Sequence, residues 1–203
     1  MIMEKTRKFL IFIITLVVVA GIIVAAYFLS GWLFTTINID GQSMYPTIHD
    51  GDVTILYKQG DYERGDIVVF NTHKQDSQGN ERYFVKRIIA MGGDTVKIDL
   101  VPGSDILSPE YGIYVNGEYL EETYLSGNFV HASATDKPRT EFIVPEGCFY
   151  YCGDNRLNSS DSRTDGSIGS VVLGNVSDIL GRVVAKYPGA EGVTKIELVK
   201  RGS

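Results

Sequence analysis

From Phe9 to Phe34 the chain carries no charged residue, an unbroken run of 26. Its strongest part, Phe9 to Leu29, reads FLIFIITLVVVAGIIVAAYFL. About 20 apolar residues in a helix are enough to span a bilayer core. The run therefore splits the chain into an N-terminal transmembrane helix and a separate body behind it. Lys5, Arg7 and Lys8 precede the run, and no Lys or Arg follows it until Lys58, whereas Asp40, Asp50 and Asp52 do. The positive-inside rule then keeps the N-terminus in the cytoplasm and puts the rest outside. A cleaved signal peptide would carry a shorter apolar region, about 7–15 residues. The run is read instead as a retained single-pass anchor in the cell membrane. Gly21 and Ala25 make a small-xxx-small pair, a pattern too common in membrane helices to argue dimerisation.

Removing residues 1–34 leaves 169 residues with 16 basic and 24 acidic side chains, long enough for a real core. That acidic balance disfavours a nucleic-acid surface, so no nucleic-acid partner is expected. Across the whole chain, 12 Tyr, 9 Phe and 22 Gly stand against 6 Pro, which leans toward β-structure with tight turns. Strands are read at 35–40, 49–58, 64–71, 82–91, 146–155 and 178–188. The stretch Ile67–Phe70 is continuously apolar, as a strand buried on both faces would be. Residues 98–144 change character and hold several short strand candidates around an Asn116–Gly117 hairpin signal. They are read as a small inserted β-subdomain, with residues 126–139 polar and loop-like. Cys148 and Cys152 lie four apart in a strand, which sets their Cα atoms about 13 Å apart. That is beyond disulfide reach, so two free thiols are expected.

His49, His73 and His131 show no metal-ligand spacing with one another or with a Cys, and a serine–histidine–aspartate triad stays open on sequence alone. Three segments depart from ordinary β-protein composition. The first is Gly41-Gln42-Ser43-Met44-Tyr45-Pro46-Thr47. The second is Tyr83-Phe84-Val85-Lys86-Arg87, where alternation puts Phe84, Lys86 and Ile88 on one face. A lysine on an apolar face is either snorkelling to water or functional. The third is Gly153–Arg163, GDNRLNSSDSR. It reads as a surface loop by composition, and equally as a hydrogen-bonded platform of Asp, Arg and Ser.

In this order, behind an N-terminal anchor, the segments match four family patterns: G-x-S-M-x-P-T at 41–47, R-G-D-I-V-V-F at 64–70, K-R followed by G-D at 86–94, and G-D-N-R-x-N-S-x-D-S-R at 153–163. The chain thereby resembles type I signal peptidases, membrane-bound bacterial enzymes that cut signal peptides from exported proteins. The resemblance implies an all-β fold with an antiparallel catalytic core over 35–97 and 145–190, the insert at 98–144 and a tail at 191–203, following a cytoplasmic tail 1–8 and anchor 9–29. It implies Ser43 as nucleophile and Lys86 as general base, with Ser159 orienting the lysine and Asp154, Asp161 and Arg163 bracing the site. Ile39, Met44, Ile48, Phe84 and Val85 would line the substrate pockets. The implied partners are signal-peptide-bearing preproteins and membrane lipid, and no metal or cofactor is expected. Gly41 stands where some members place a serine hydroxyl for the oxyanion, and Leu157 where the family usually has a polar residue. The segment after Arg163 is longer than the pattern expects. A rival implication is a non-catalytic or dedicated assembly factor for surface-protein or pilus export on the same scaffold.

Overall fold

The structure is a computed structural model of the chain and describes residues 2–105, 107, 110–125, 141–163, 171–189 and 197–199. The polar stretch 126–139 with His131, the continuation 164–170 and most of the tail 191–203 lie outside the described residues. Two units divide the chain, one over Met1–Thr35 and one over Thr36–Ser203. The first is the helix α1 (Ile2–Leu33). It begins seven residues before the charge-free run, and Glu4 and Lys8 pair across its first turns, a spacing that puts them on one helix face. Its apolar side chains from Phe9 to Trp32 are exposed. A helix apolar all round along such a length suits hydrocarbon rather than water. The segment Glu4–Leu33 is long and apolar enough to cross a membrane.

After the helix the chain forms β1 (Phe34–Asn38), which runs across the unit boundary, then, within the second unit, β2 (Asp52–Tyr57), β3 (Ile67–Gln75), β4 (Glu81–Met91), β5 (Thr95–Leu100), β6 (Tyr111–Val115), β7 (Glu118–Tyr119), β8 (Phe142–Ile143), β9 (Cys148–Cys152), β10 (Gly174–Asn175), β11 (Ile179–Pro188) and β12 (Glu197–Leu198). The large sheet runs β1-β2-β11-β3-β4-β9-β10, with β12 added to β11, and the small sheet runs β7-β6-β5-β8. The paired strands with an assigned register are all antiparallel. The all-β expectation therefore holds for the body. The small sheet starts at Thr95, because β5 pairs with β8 at Thr95 and Val96 and with β6 from Val96 to Leu100. The hairpin read from Asn116–Gly117 joins β6 to β7, with φ of 54° and 80° at its two central residues, the left-handed conformation that Asn and Gly accept most readily.

The continuous apolar run in β3 is explained by burial on both faces. Ile67 and Val69 pack with Ile39, Met44, Ile48, Leu56 and Val183, while Val68 and Phe70 pack with Phe84, Ile88, Phe149 and Tyr151. A third cluster joins the small sheet to the large one: Val96, Ile98, Ile113 and Val115 meet Ile89, Ala90, Tyr150 and Cys152. Cys148 and Cys152 are both free thiols, as the strand spacing requires. β9 pairs with β4 only from Arg87 onward. Residues 83–86 of β4 thus pair with β3 on one side and are not reached by β9 on the other.

Candidate active site

Ser43 sits in the turn that follows β1. This turn is polar where it faces the solvent and apolar where it meets the core. Met44 and Ile48 are both buried, and the Ile48 amide bonds back to the Met44 carbonyl at 2.9 Å. The Gly41 amide donates to Asp50 Oδ1 at 2.8 Å. With Met44 fixed in the core, the neighbouring serine has little freedom to drift.

Lys86 occupies the middle of β4 and is only 3% exposed, which excludes snorkelling. Its Nζ lies 2.6 Å from Ser43 Oγ, a hydrogen bond between residues 43 apart in sequence. The Phe84 ring is the adjacent wall, 5.0 Å from Nζ. Ile88, expected on the same face, packs with Phe84 in the core. Burial disfavours the ammonium and pushes Lys86 down to about 8. Asp161, Cys152 and Asp154 pull the other way, and Arg82 adds to the lowering.

The segment 153–163 is the platform, not the surface loop. Asp154, Asn155, Arg156, Asp161, Ser162 and Arg163 are all buried. Burying so many polar groups is tolerable because nearly all of them find hydrogen-bond partners, many on other elements. Asp154 takes Arg87 Nε at 2.9 Å and Nη2 at 2.6 Å, and it also accepts the Thr47 hydroxyl. One carboxylate thereby ties the strand carrying Lys86 to the turn carrying Ser43. Asn155 adds two further ties to that turn, its amide to the Ser43 carbonyl at 2.9 Å and Nδ2 to the Gln42 carbonyl at 3.0 Å. Asp161 accepts the Gly153 amide at 3.0 Å and Arg163 Nε and Nη2, each at 3.0 Å. Desolvation acts against the Asp161 carboxylate, but Arg163, the Gly153 amide and the Ser159 hydroxyl outweigh it and hold it below the ordinary range. Ser159 is thus placed against Asp161, one of the charges acting on Lys86.

Gly153 is required by close approach. A Cβ there would meet Ser159 Oγ at 2.2 Å and the Ser43 carbonyl at 2.4 Å. Sequence reading passed over Gly153, Asn155, Thr47 and Arg87. All four stand inside the motifs singled out, but nothing in composition separates them from ordinary turn and strand residues. The 64–70 motif also serves the site through its backbone. The Gly65 carbonyl accepts Arg87 Nη1 at 2.8 Å, and the Gly65 amide and Asp66 carbonyl bracket Ile88.

Ser43 and Lys86 open on a cleft of about 610 Å³ that is also lined by Ile39, Met44, Phe84 and Val85. Ile48, expected among the pocket residues, is fully buried beneath and lines no part of it. Leu157 is half exposed. Among the described residues, His49 pairs with Asp52 and His73 with Asp178, and the side chain that bonds Ser43 Oγ is Lys86.

A family model described as signal peptidase, peptidase S26, matches residues 10–188. The chain is 35% identical over 149 residues to signal peptidase I of Bacillus licheniformis, covering 70% of this chain and 72% of that one. It is 36% identical over 151 residues to signal peptidase I S of Bacillus subtilis, with the same coverage. Against signal peptidase IB of Staphylococcus aureus it is 33% identical over 176 residues, 78% of this chain and 84% of that one. A crystal structure of a signal peptidase I from Enterococcus faecalis aligns with a TM-score of 0.41 at 26% identity, over 61% of this chain and 97% of that one. The fold rests on the pairings above and not on that alignment.

Proposed function

Because the chain belongs to the signal peptidase family, peptidase S26, we propose that it removes signal peptides from exported preproteins with Ser43 as nucleophile and Lys86 as general base. The observation that carries the reading is the 2.6 Å contact between Lys86 Nζ and Ser43 Oγ, made at a cleft lined by both residues. An amine near its ordinary value of about 10.4 would be protonated at neutral pH and unable to accept a proton. Lowered to about 8 by burial, a useful fraction is neutral. Neutral Lys86 takes the hydroxyl proton as Ser43 Oγ bonds to the scissile carbonyl carbon. The ammonium then protonates the leaving amine as the C–N bond breaks. A water deprotonated by the same amine releases the acyl group and restores Ser43. The Ser43 backbone amide is one donor for the developing oxyanion. The Gly41 amide, held by Asp50, faces elsewhere. Ser159, Asp154, Asp161 and Arg163 hold the dyad without entering the chemistry.

Substrate fit follows from the strands. β1 ends one edge of the large sheet, and residues 82–86 of β4 are not reached by β9. Ile37–Ile39 and Arg82–Lys86 both line the cleft, so an extended peptide can add between them by backbone pairing. Ile39, Met44, Phe84 and Val85 make shallow apolar walls suited to the small-x-small residues before a signal-peptide cut. Ile48 supports Met44 from below. The helix anchors the protein in the membrane, with the N-terminus cytoplasmic and the body outside, in contact with membrane lipid. In this organisation a cytoplasmic tail 1–8 and anchor 9–29 precede a catalytic core 35–97 and 145–190, an insert 98–144 and a tail 191–203. The test is cleavage of a signal-peptide-bearing precursor by the purified chain in lipid. Wild type should yield product cut after a small-x-small site, and Lys86→Ala none. Equal product from both would remove Lys86 from the mechanism.

A further inference from the structure

The stretch Leu120–Leu125, which leaves the small sheet, reaches into the scaffold of the dyad. The Tyr124 ring covers the Arg87 guanidinium, with Cζ 3.8 Å from the ring centroid, a distance at which a cation is held by the ring face. The Glu122 carboxylate takes both terminal nitrogens of Arg156 and the Tyr124 hydroxyl. Arg156 in turn donates Nε to the Gly153 carbonyl at 3.0 Å. The Glu122 and Arg156 side chains are 9% and 4% exposed. None of these four residues lines the cleft, so they do not touch a substrate there. Nothing in the family motifs points to 122 or 124, which belong to the insert.

We propose that Tyr124 and Glu122 are positioning residues: a clip from the insert that keeps water from the Arg87–Asp154 pair and so holds Lys86 against Ser43. The inference rests on the Ser43/Lys86 reading above. The groups that act on the Lys86 charge are Asp161 and Asp154 from the platform, Cys152 from β9 and Arg82 from β4. Opening the clip hydrates the pair and loosens Arg87 from Asp154. The Asp154 charge is then less neutralised, and the lysine is better solvated. Both changes favour the ammonium, so the titration of Lys86 moves up and the neutral fraction at pH 7 falls.

The experiment follows Lys86 directly, by the ¹³Cε signal of labelled lysine in the full chain in micelles, assigned with Lys86→Ala. Cleavage of a signal-peptide-bearing precursor is measured beside it as a function of pH. Tyr124→Leu should raise the Lys86 midpoint by about one pH unit, which is tenfold in the neutral-amine fraction. The ascending, acid-side limb of kcat/KM should move up in pH with it, through kcat rather than KM. Tyr124→Phe keeps the ring on Arg87 and should return the midpoint to the wild-type position. A Tyr124→Leu midpoint that stays with wild type overturns the clip, whatever the melting temperature does. Where that variant does not fold, Tyr124→Met gives the same comparison. Absence of cleavage by wild type would count against the proposed function, while the titration still decides the clip.

Discussion

Lys86 carries the tension in this molecule. An ammonium that titrates near 8 when folded and near 10.4 when unfolded opposes folding wherever the unfolded chain is protonated. The folded pKa is the lower one, so the penalty is full below about 8 and fades as pH rises toward 10.4. Lys86→Met should therefore abolish cleavage yet raise stability at pH 7 by on the order of 3 kcal/mol, read as a higher melting temperature. At pH 10.5 the gain should be gone. Activity has its own sign: on the proposed mechanism the neutral amine is the working form, so kcat/KM should climb about tenfold per pH unit below the midpoint and level off above about 8. A flat profile between pH 6 and 9 would exclude a lysine base. Gly153→Ala tests the closest approach in the site. Its Cβ would collide with Ser159 and the Ser43 carbonyl, so cleavage should drop by at least tenfold while the strands stay folded by circular dichroism.

At the scale of elements, the turn bearing Ser43 depends on what lies under it. Ile48 is fully buried among Met44, Leu56 and Ile67. Ile48→Ala should cost roughly 2–4 kcal/mol in unfolding free energy and lower kcat more than it changes KM, as denaturation and kinetics on one preparation would show. The strands were legible in the sequence because alternation and turn residues report local geometry. β3 and β4 are the clearest, with Gly and Asp punctuation ahead of apolar runs. The platform was not legible in the same way. Asp154, Asp161, Arg156 and Arg163 look solvent-facing by composition. Their burial follows from partners on other elements, such as Arg87 on β4 and Glu122 on the insert, which no local pattern discloses. Ile48 was misread as lining for the converse reason: an apolar residue in a motif can face the substrate or stand behind one that does.

For the whole molecule, the division into an apolar helix and a β body was already drawn by the charge-free run and the change of composition behind it. The two units contribute different things, and cutting away residues 2–33 should separate them. Hydrolysis of a soluble peptide should persist, while cleavage of a membrane-inserted precursor should fall roughly a hundredfold through loss of effective concentration. Equal losses on both substrates would mean that the helix supports the body rather than its encounter with substrate. The carboxylate of Asp154 has a further consequence. It grips Arg87 and Thr47 at once, and the residues it unites come from the start, the middle and the last quarter of the chain. A nascent chain that has emerged only as far as the lysine holds both reactive side chains but no frame to align them. On the proposed mechanism, cleavage therefore needs the segment up to Arg163 folded against the turn and the strand that carry Ser43 and Lys86.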